Sequence, residues 1–85
     1  MYEPRITLLT RAGCVQCAAA ADALNRLCPQ WGVRWHAVDV DDAAREGEPA
    51  LRMEFGDRVP VVLLDRREHS YGTVDENRLR ADLTR

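Results

Sequence analysis

No lysine occurs in this chain: all 12 of its basic residues are arginine. That absence excludes a P-loop lysine, a Schiff-base lysine and a lysine general base, each of which needs an amine the chain does not carry. Nor is there an excess of charge of either sign. Fourteen acidic residues against 12 basic ones leave a net charge of −2, so no broad positive field draws the chain onto nucleic acid or an anionic lipid surface. Long hydrophobic runs are missing too. The apolar stretch after the polar residues Met1 to Arg5 covers only Ile6 to Leu9, too short for a signal peptide or a membrane span. The expectation is a cytoplasmic, monomeric protein with neither nucleic acid nor membrane as partner. Repeats, low-complexity tracts and Gly/Ser linkers are absent, so residues 1–85 read as one domain. With 46% hydrophobic and 31% charged residues the chain suits a single folded core with any chemistry on its surface.

What is present is an alternation of strand and helix signals. Ile6-Thr7-Leu8-Leu9-Thr10 is β-branched and apolar between Pro4 and Ala12-Gly13, which predicts a strand. From Val15 to Cys28 the apolar positions Cys17, Ala20, Ala21, Leu24, Leu27 and Cys28 follow a helical period, and Pro29 is expected to end the helix because the residue before a proline is pushed from helical backbone. Val33, Trp35 and Ala37 alternate with Arg34, His36 and Val38, a two-residue period and hence a second strand. Strand, helix, strand over so short a length implies a parallel βαβ unit. Asp39, Asp41 and Asp42 are cap candidates for a further helix that Gly47 and Pro49 interrupt. An irregular segment is expected there, then a short helix from Pro49 to Phe55 stopped by Gly56. The unalternating run Val59-Pro60-Val61-Val62-Leu63-Leu64 predicts a strand covered on both faces. Asp65-Arg66-Arg67 would turn it into a partner around Glu68 to Tyr71, with Arg66 where such turns favour glycine. Thr73-Val74-Asp75-Glu76 has the form of a capping box, and Leu79 with Leu83 gives a last helix its apolar stripe. The result is an α/β chain in the order βαβαββα.

Three cysteines in a reducing compartment do not make a disulfide framework. Cys14-Val15-Gln16-Cys17 lies where the first strand hands over to the first helix. A thiol there faces unpaired backbone N–H groups and the positive end of the helix dipole, both of which favour thiolate. Arg11 stands close enough in sequence to add to that effect. Cys14, at the tip, is the candidate attacking thiolate, and Cys17, one turn in, the candidate resolving thiol of a disulfide exchange. The rival is a metal site, since CxxC is also half of a zinc or iron–sulfur knuckle. Cys28 would sit about 16 Å further along the helix, and no second CxxC or His pair exists, so no metal ligand set is assigned. A non-catalytic binding module using the same cysteines stays open. Cys28 reads as a buried small hydrophobe, His36 and His69 as surface or rim residues, Trp31 and Trp35 as core or turn anchors. The Asp39, Asp41, Asp42 cluster reads as helix capping, because it lacks the spacing of a calcium loop. Pro60, which removes a ladder donor at the start of a strand, calls for a reason.

A CxxC opening a helix after the first strand, with Val59-Pro60 opening a later one, resembles the small glutaredoxin branch of the thioredoxin superfamily. Thr10-Arg11-Ala12-Gly13-Cys14, Val38-Asp39-Val40-Asp41, Gly56-Asp57-Arg58-Val59-Pro60-Val61 and Asp75-Glu76-x-x-Leu79 are similar to short bacterial glutaredoxin-like proteins. The Val15-Gln16 insert resembles that of the glutaredoxin-like electron donors of ribonucleotide reductase. The resemblance implies a four-stranded mixed sheet with three helices and a cis Val59-Pro60 bond packed beside Cys14. It also implies a Val59 backbone that pairs with an extended substrate. It makes Arg11, Val59, Pro60 and Asp75 supporting residues of a Cys14/Cys17 thiol–disulfide oxidoreductase. Such a protein acts on protein disulfides and holds no cofactor, with a reductase, glutathione or another small thiol as its reductant. A glutathione-dependent enzyme that removes mixed disulfides through Cys14 alone is the alternative within the same resemblance.

Overall fold

A computed structural model describes residues 4–84. Its elements run β1 (Ile6–Thr10), α1 (Val15–Trp31), β2 (Trp35–Asp39), α2 (Val40–Arg45), α3 (Ala50–Phe55), β3 (Val61–Leu64), β4 (Arg67–Tyr71) and α4 (Glu76–Leu83). The sheet order is β2-β1-β3-β4. β1 pairs in parallel with β2 and antiparallel with β3, and β3 pairs antiparallel with β4. The mixed four-stranded α/β architecture is as expected, but the described residues form four helices rather than three.

The additional helix is α2, where an irregular segment was expected. Asp39 caps it, its carboxylate accepting from the N–H groups of Asp41 and Asp42 at 2.8 and 3.1 Å. Asp41 and Asp42 lie in the first turn and Arg45 in the last, so charge complements the dipole at both ends. Val40 is buried and ties this short helix to the sheet. Gly47 ends the helix instead of preventing it: the Gly47 and Glu48 N–H groups turn back onto the carbonyls of Ala44 and Ala43.

α1 also departs from expectation, because Pro29 lies inside it. In a last turn the proline forfeits one hydrogen bond, while Cys28 and Leu27 beside it are buried. The stop is Gly32, at φ +68°. Its N–H donates to Pro29 and that of Val33 to Cys28, the paired closure of a Schellman motif. With its N–H so used, Val33 does not enter the ladder, and β2 begins at Trp35. The last helix is capped by Asp75, whose carboxylate accepts from the Arg78 N–H at 3.2 Å, and not by Thr73 of the expected capping box. The hairpin from β3 to β4 turns on Asp65 and Arg66, both at positive φ, as a two-residue turn matched to strand twist requires. Arg5 holds the Asp65 carboxylate through two N–H donors. Within β4, His69 is an extra residue between the pairs Val62↔Ser70 and Leu63↔Glu68.

Two apolar layers sandwich the sheet. Ile6, Leu8 and Val62 pack with Leu24 and Cys28 of α1 and Leu79 of α4. Leu9, Val61 and Leu63 pack on the other face with Val40 of α2 and Phe55 of α3. Burial on both faces is why the run from Val61 to Leu64 shows no alternation. Among the described residues no helix is long and apolar enough to cross a membrane.

Candidate active site

Topology gathers the chemistry-bearing segments at one edge of the sheet. The C-terminal ends of the parallel strands β1 and β2 open onto the segment from Arg11 to Cys14 and onto Asp39 and Asp41. β3 is antiparallel to β1, so Val59-Pro60 enters at that same edge. β4 leaves there too, through Gly72.

Gly13, at φ +77°, makes the turn that sets Cys14 at the N-cap of α1. Cys14 has extended backbone, and its Sγ accepts from the Cys17 N–H at 3.1 Å. A sulfur thus takes the place that a Ser or Asp oxygen fills at other helix starts. The first turn of α1 holds no acidic residue, so nothing there opposes negative charge on that sulfur. Cys14 and Cys17 are disulfide-bonded, with Cα atoms 5.2 Å apart. Cys17 is buried and Cys14 partly exposed, which places the accessible sulfur at the tip and the sheltered one a turn behind. An open groove runs beside the pair, lined by Thr10, Arg11, Gly13, Val15, Ala18 and Ala21. Val15, inside the CxxC, is 83% exposed.

Arg11 lines that groove, yet its guanidinium is committed elsewhere. Nε and one terminal nitrogen donate to the two carboxylate oxygens of Asp41 at 3.0 and 3.1 Å, and the other terminal nitrogen donates to the Gly56 carbonyl at 3.2 Å. Arg11 thus shares the groove with Cys14 while its guanidinium ties the loop to α2 and to the end of α3. Arg52 of α3 also approaches Asp41, at 3.6 Å. Hydrogen bonds from Arg11, and then from Arg52, hold the Asp41 carboxyl below the usual carboxylate range. The same pairing pushes the Arg11 guanidinium up. Asp41 was visible in the sequence only as a cap candidate. The signal for its real part was the βαβ unit itself, whose pairing sets Thr10 opposite Asp39 and so brings Arg11 toward Asp41.

The Val59–Pro60 peptide bond is cis. Pro60 is buried, and its carbonyl accepts from the Gly72 N–H at 2.8 Å, tying the two loops together. Val59 packs on the layer that holds Phe55. Asp75 is engaged at the start of α4, where the backbone N–H and the side chain of Arg78 hold its carboxyl low. Cys28 is buried and unpaired, and desolvation pushes its thiol up to about 11. His36 is exposed and bonded to Thr7. His69 is not a rim residue: its ring is 5% exposed and meets Asp82 at 2.8 Å. Among the described residues, no three His, Cys, Asp or Glu side chains converge as metal ligands.

Comparison with known proteins adds the family. The model of the glutaredoxin-like domain (DUF836) matches residues 5–84. Uncharacterised proteins of Mycobacterium tuberculosis and Mycobacterium bovis are 56% identical over all 85 residues, which cover 88% of their length. A Nitrosomonas europaea protein solved by NMR in solution superposes with a TM-score of 0.73 at 21% identity, over 96% of this chain and 94% of that one. Glutaredoxin C1 of Populus tremula x tremuloides, in its holo form, gives 0.57 at 21% identity over 95% and 73%. A buckwheat glutaredoxin in complex with glutathione gives 0.54 at 18% identity over 95% and 74%. The chain belongs to the glutaredoxin-like domain family and is a small glutaredoxin-like protein of the thioredoxin superfamily.

Proposed function

We propose that this glutaredoxin-like protein is a thiol–disulfide oxidoreductase that passes two electrons to protein disulfides in the cytoplasm. The observation that carries the reading is Cys14 at the N-cap of α1, accepting the Cys17 N–H and bonded to the Cys17 sulfur. In the reduced protein the Cys14 thiolate attacks one sulfur of a substrate disulfide. A mixed disulfide forms, and the other substrate sulfur leaves as a thiolate. Cys17, losing its proton, attacks the Cys14 sulfur and releases the second substrate thiolate. The protein is left with the Cys14–Cys17 bond, the substrate with two thiols, and two electrons have moved. A reductase or a small thiol such as glutathione returns them, so no bound cofactor is required. Val59-Pro60, at the same sheet edge, is the segment along which an extended substrate would lie. The protein acts as a monomer in this reading.

Equilibration in a thiol redox buffer, with free thiols trapped, tests it. The expected result is a reversible two-electron couple confined to Cys14 and Cys17. A midpoint of about −200 mV would assign glutaredoxin-like partners and one of about −270 mV thioredoxin-like ones. Absence of the couple, or zinc or an iron–sulfur chromophore bound to the pair in purified protein, would replace the reading with a metal or binding role. A second reading, removal of glutathione from mixed disulfides, draws support from the partly exposed Cys14 beside a buried Cys17. It requires activity with glutathione to survive Cys17→Ser and to vanish in Cys14→Ser.

A further inference from the structure

We infer that Asp41 is a specificity-determining residue of the Cys14 groove: by neutralising Arg11 it tunes the groove to disulfides flanked by uncharged groups. The inference rests on the oxidoreductase reading and names the substrate class of that site. Arg11 is the single charged side chain lining the groove among the described residues. Left alone, a cation there would draw an anionic disulfide and steer its approach. It is not alone, since both oxygens of Asp41 accept from it in a fork that fixes its direction.

The other charges near Asp41 do not undo this. Arg52 of α3 meets Asp41 only at 3.6 Å, further than either Arg11 bond, and does not line the groove. The Asp39 carboxylate is turned to the N–H groups of Asp41 and Asp42, and Gly56 offers Arg11 only a carbonyl. The first turn of α1 adds no acid. The remaining lining is small or apolar, and the exposed Val15 extends it outward. A substrate whose disulfide lies among uncharged side chains fits such a groove, whereas one carrying carboxylates beside its sulfurs finds no free cation in the lining.

The test compares exchange of the reduced protein with two chromogenic disulfides, the dianionic dithiobis-nitrobenzoate and the neutral dithiodipyridine. In each reaction the protein dithiol gives up two electrons, the probe disulfide breaks, and two chromophoric thiols are released. Asp41→Asn leaves Arg11 unneutralised. A unit charge about 10 Å from a dianion in water changes its encounter about fourfold. The ratio of dianion to neutral rates should therefore rise about fourfold at low ionic strength and return toward the wild-type value at high salt. The double variant Arg11→Met, Asp41→Asn should restore the wild-type ratio. An unchanged ratio in Asp41→Asn overturns the inference. So does an equal loss of both rates, since a merely structural Asp41 would loosen the loop without regard to probe charge. Failure of the wild-type protein to exchange with either probe would instead sink the oxidoreductase reading on which the inference stands.

Discussion

The two ends of α1 put the same side chain to opposite uses. At its start, Cys14 sits among backbone N–H groups, with the Cys17 N–H pointing at its sulfur and no acid in the turn. About 21 Å further on, at about 1.5 Å per residue, Cys28 lies in the apolar layer among Ile6, Leu24 and Leu79. The first environment favours a thiolate. The second pushes the thiol up to about 11 by stripping it of water. Reactivity is therefore set by position along the helix, and the number of cysteines says little about it.

The largest effect expected from breaking this contrast is the loss of exchange in Cys14→Ser, set against its survival in Cys28→Ala. Folded protein whose Cys14–Cys17 bond has first been reduced, treated with an alkylating agent at neutral pH, should label Cys14 at least about 100-fold faster than Cys28, read by peptide mass spectrometry. Comparable labelling of both would show that the two environments do not differ.

High pH should expose the other end. In the unfolded chain Cys28 ionises from about its ordinary value of 9.0, whereas in the fold it stays neutral up to about 11. Stability is untouched below the unfolded value and is lost as pH rises between the two. The loss approaches about 2–3 kcal/mol. Urea unfolding at pH 8 and pH 11 measures it, and Cys28→Ala should remove most of that slope.

Smaller effects sharpen the comparison. Gly32, at φ +68° with open space where a Cβ would go, makes Gly32→Ala a test of backbone strain alone. A cost of about 1 kcal/mol is expected, seen as a fall in Tm of about 4–8 °C, with exchange at Cys14 unaltered. Last, Gln16→Glu would place a carboxylate in the first turn of α1, against the thiolate. Exchange at neutral pH should slow about two- to fivefold, and an unchanged rate would mean that the helix start does not govern Cys14.

Most of this was legible because it is local. The CxxC at a strand-to-helix junction, the period of α1 and the doubly apolar β3 are each written in a dozen residues or fewer. What escaped depended on partners distant in sequence. Pro29 looked like a stop, but burial of Leu27 and Cys28 carries the helix past it to Gly32. Gly47 and Pro49 looked like an interruption, yet the Asp39 cap and the buried Val40 sustain six helical residues before Gly47 ends them. Thr73 matched a capping box, and Asp75 took the position. Arg11 lines the groove beside the cysteines, but its partner Asp41 lies 30 residues away, and only the parallel pairing of β1 with β2 joins them.

The extra residue in β4 has a consequence for the protein among its own copies. β4 is an outer strand of the sheet, with a row of unpaired backbone groups of the kind on which another chain can build. One surplus residue at His69 bends that row and breaks its regular spacing. A second molecule laid alongside would find its donors and acceptors out of step after two or three pairs. The bulge thereby makes the β4 edge a poorer template for a further strand.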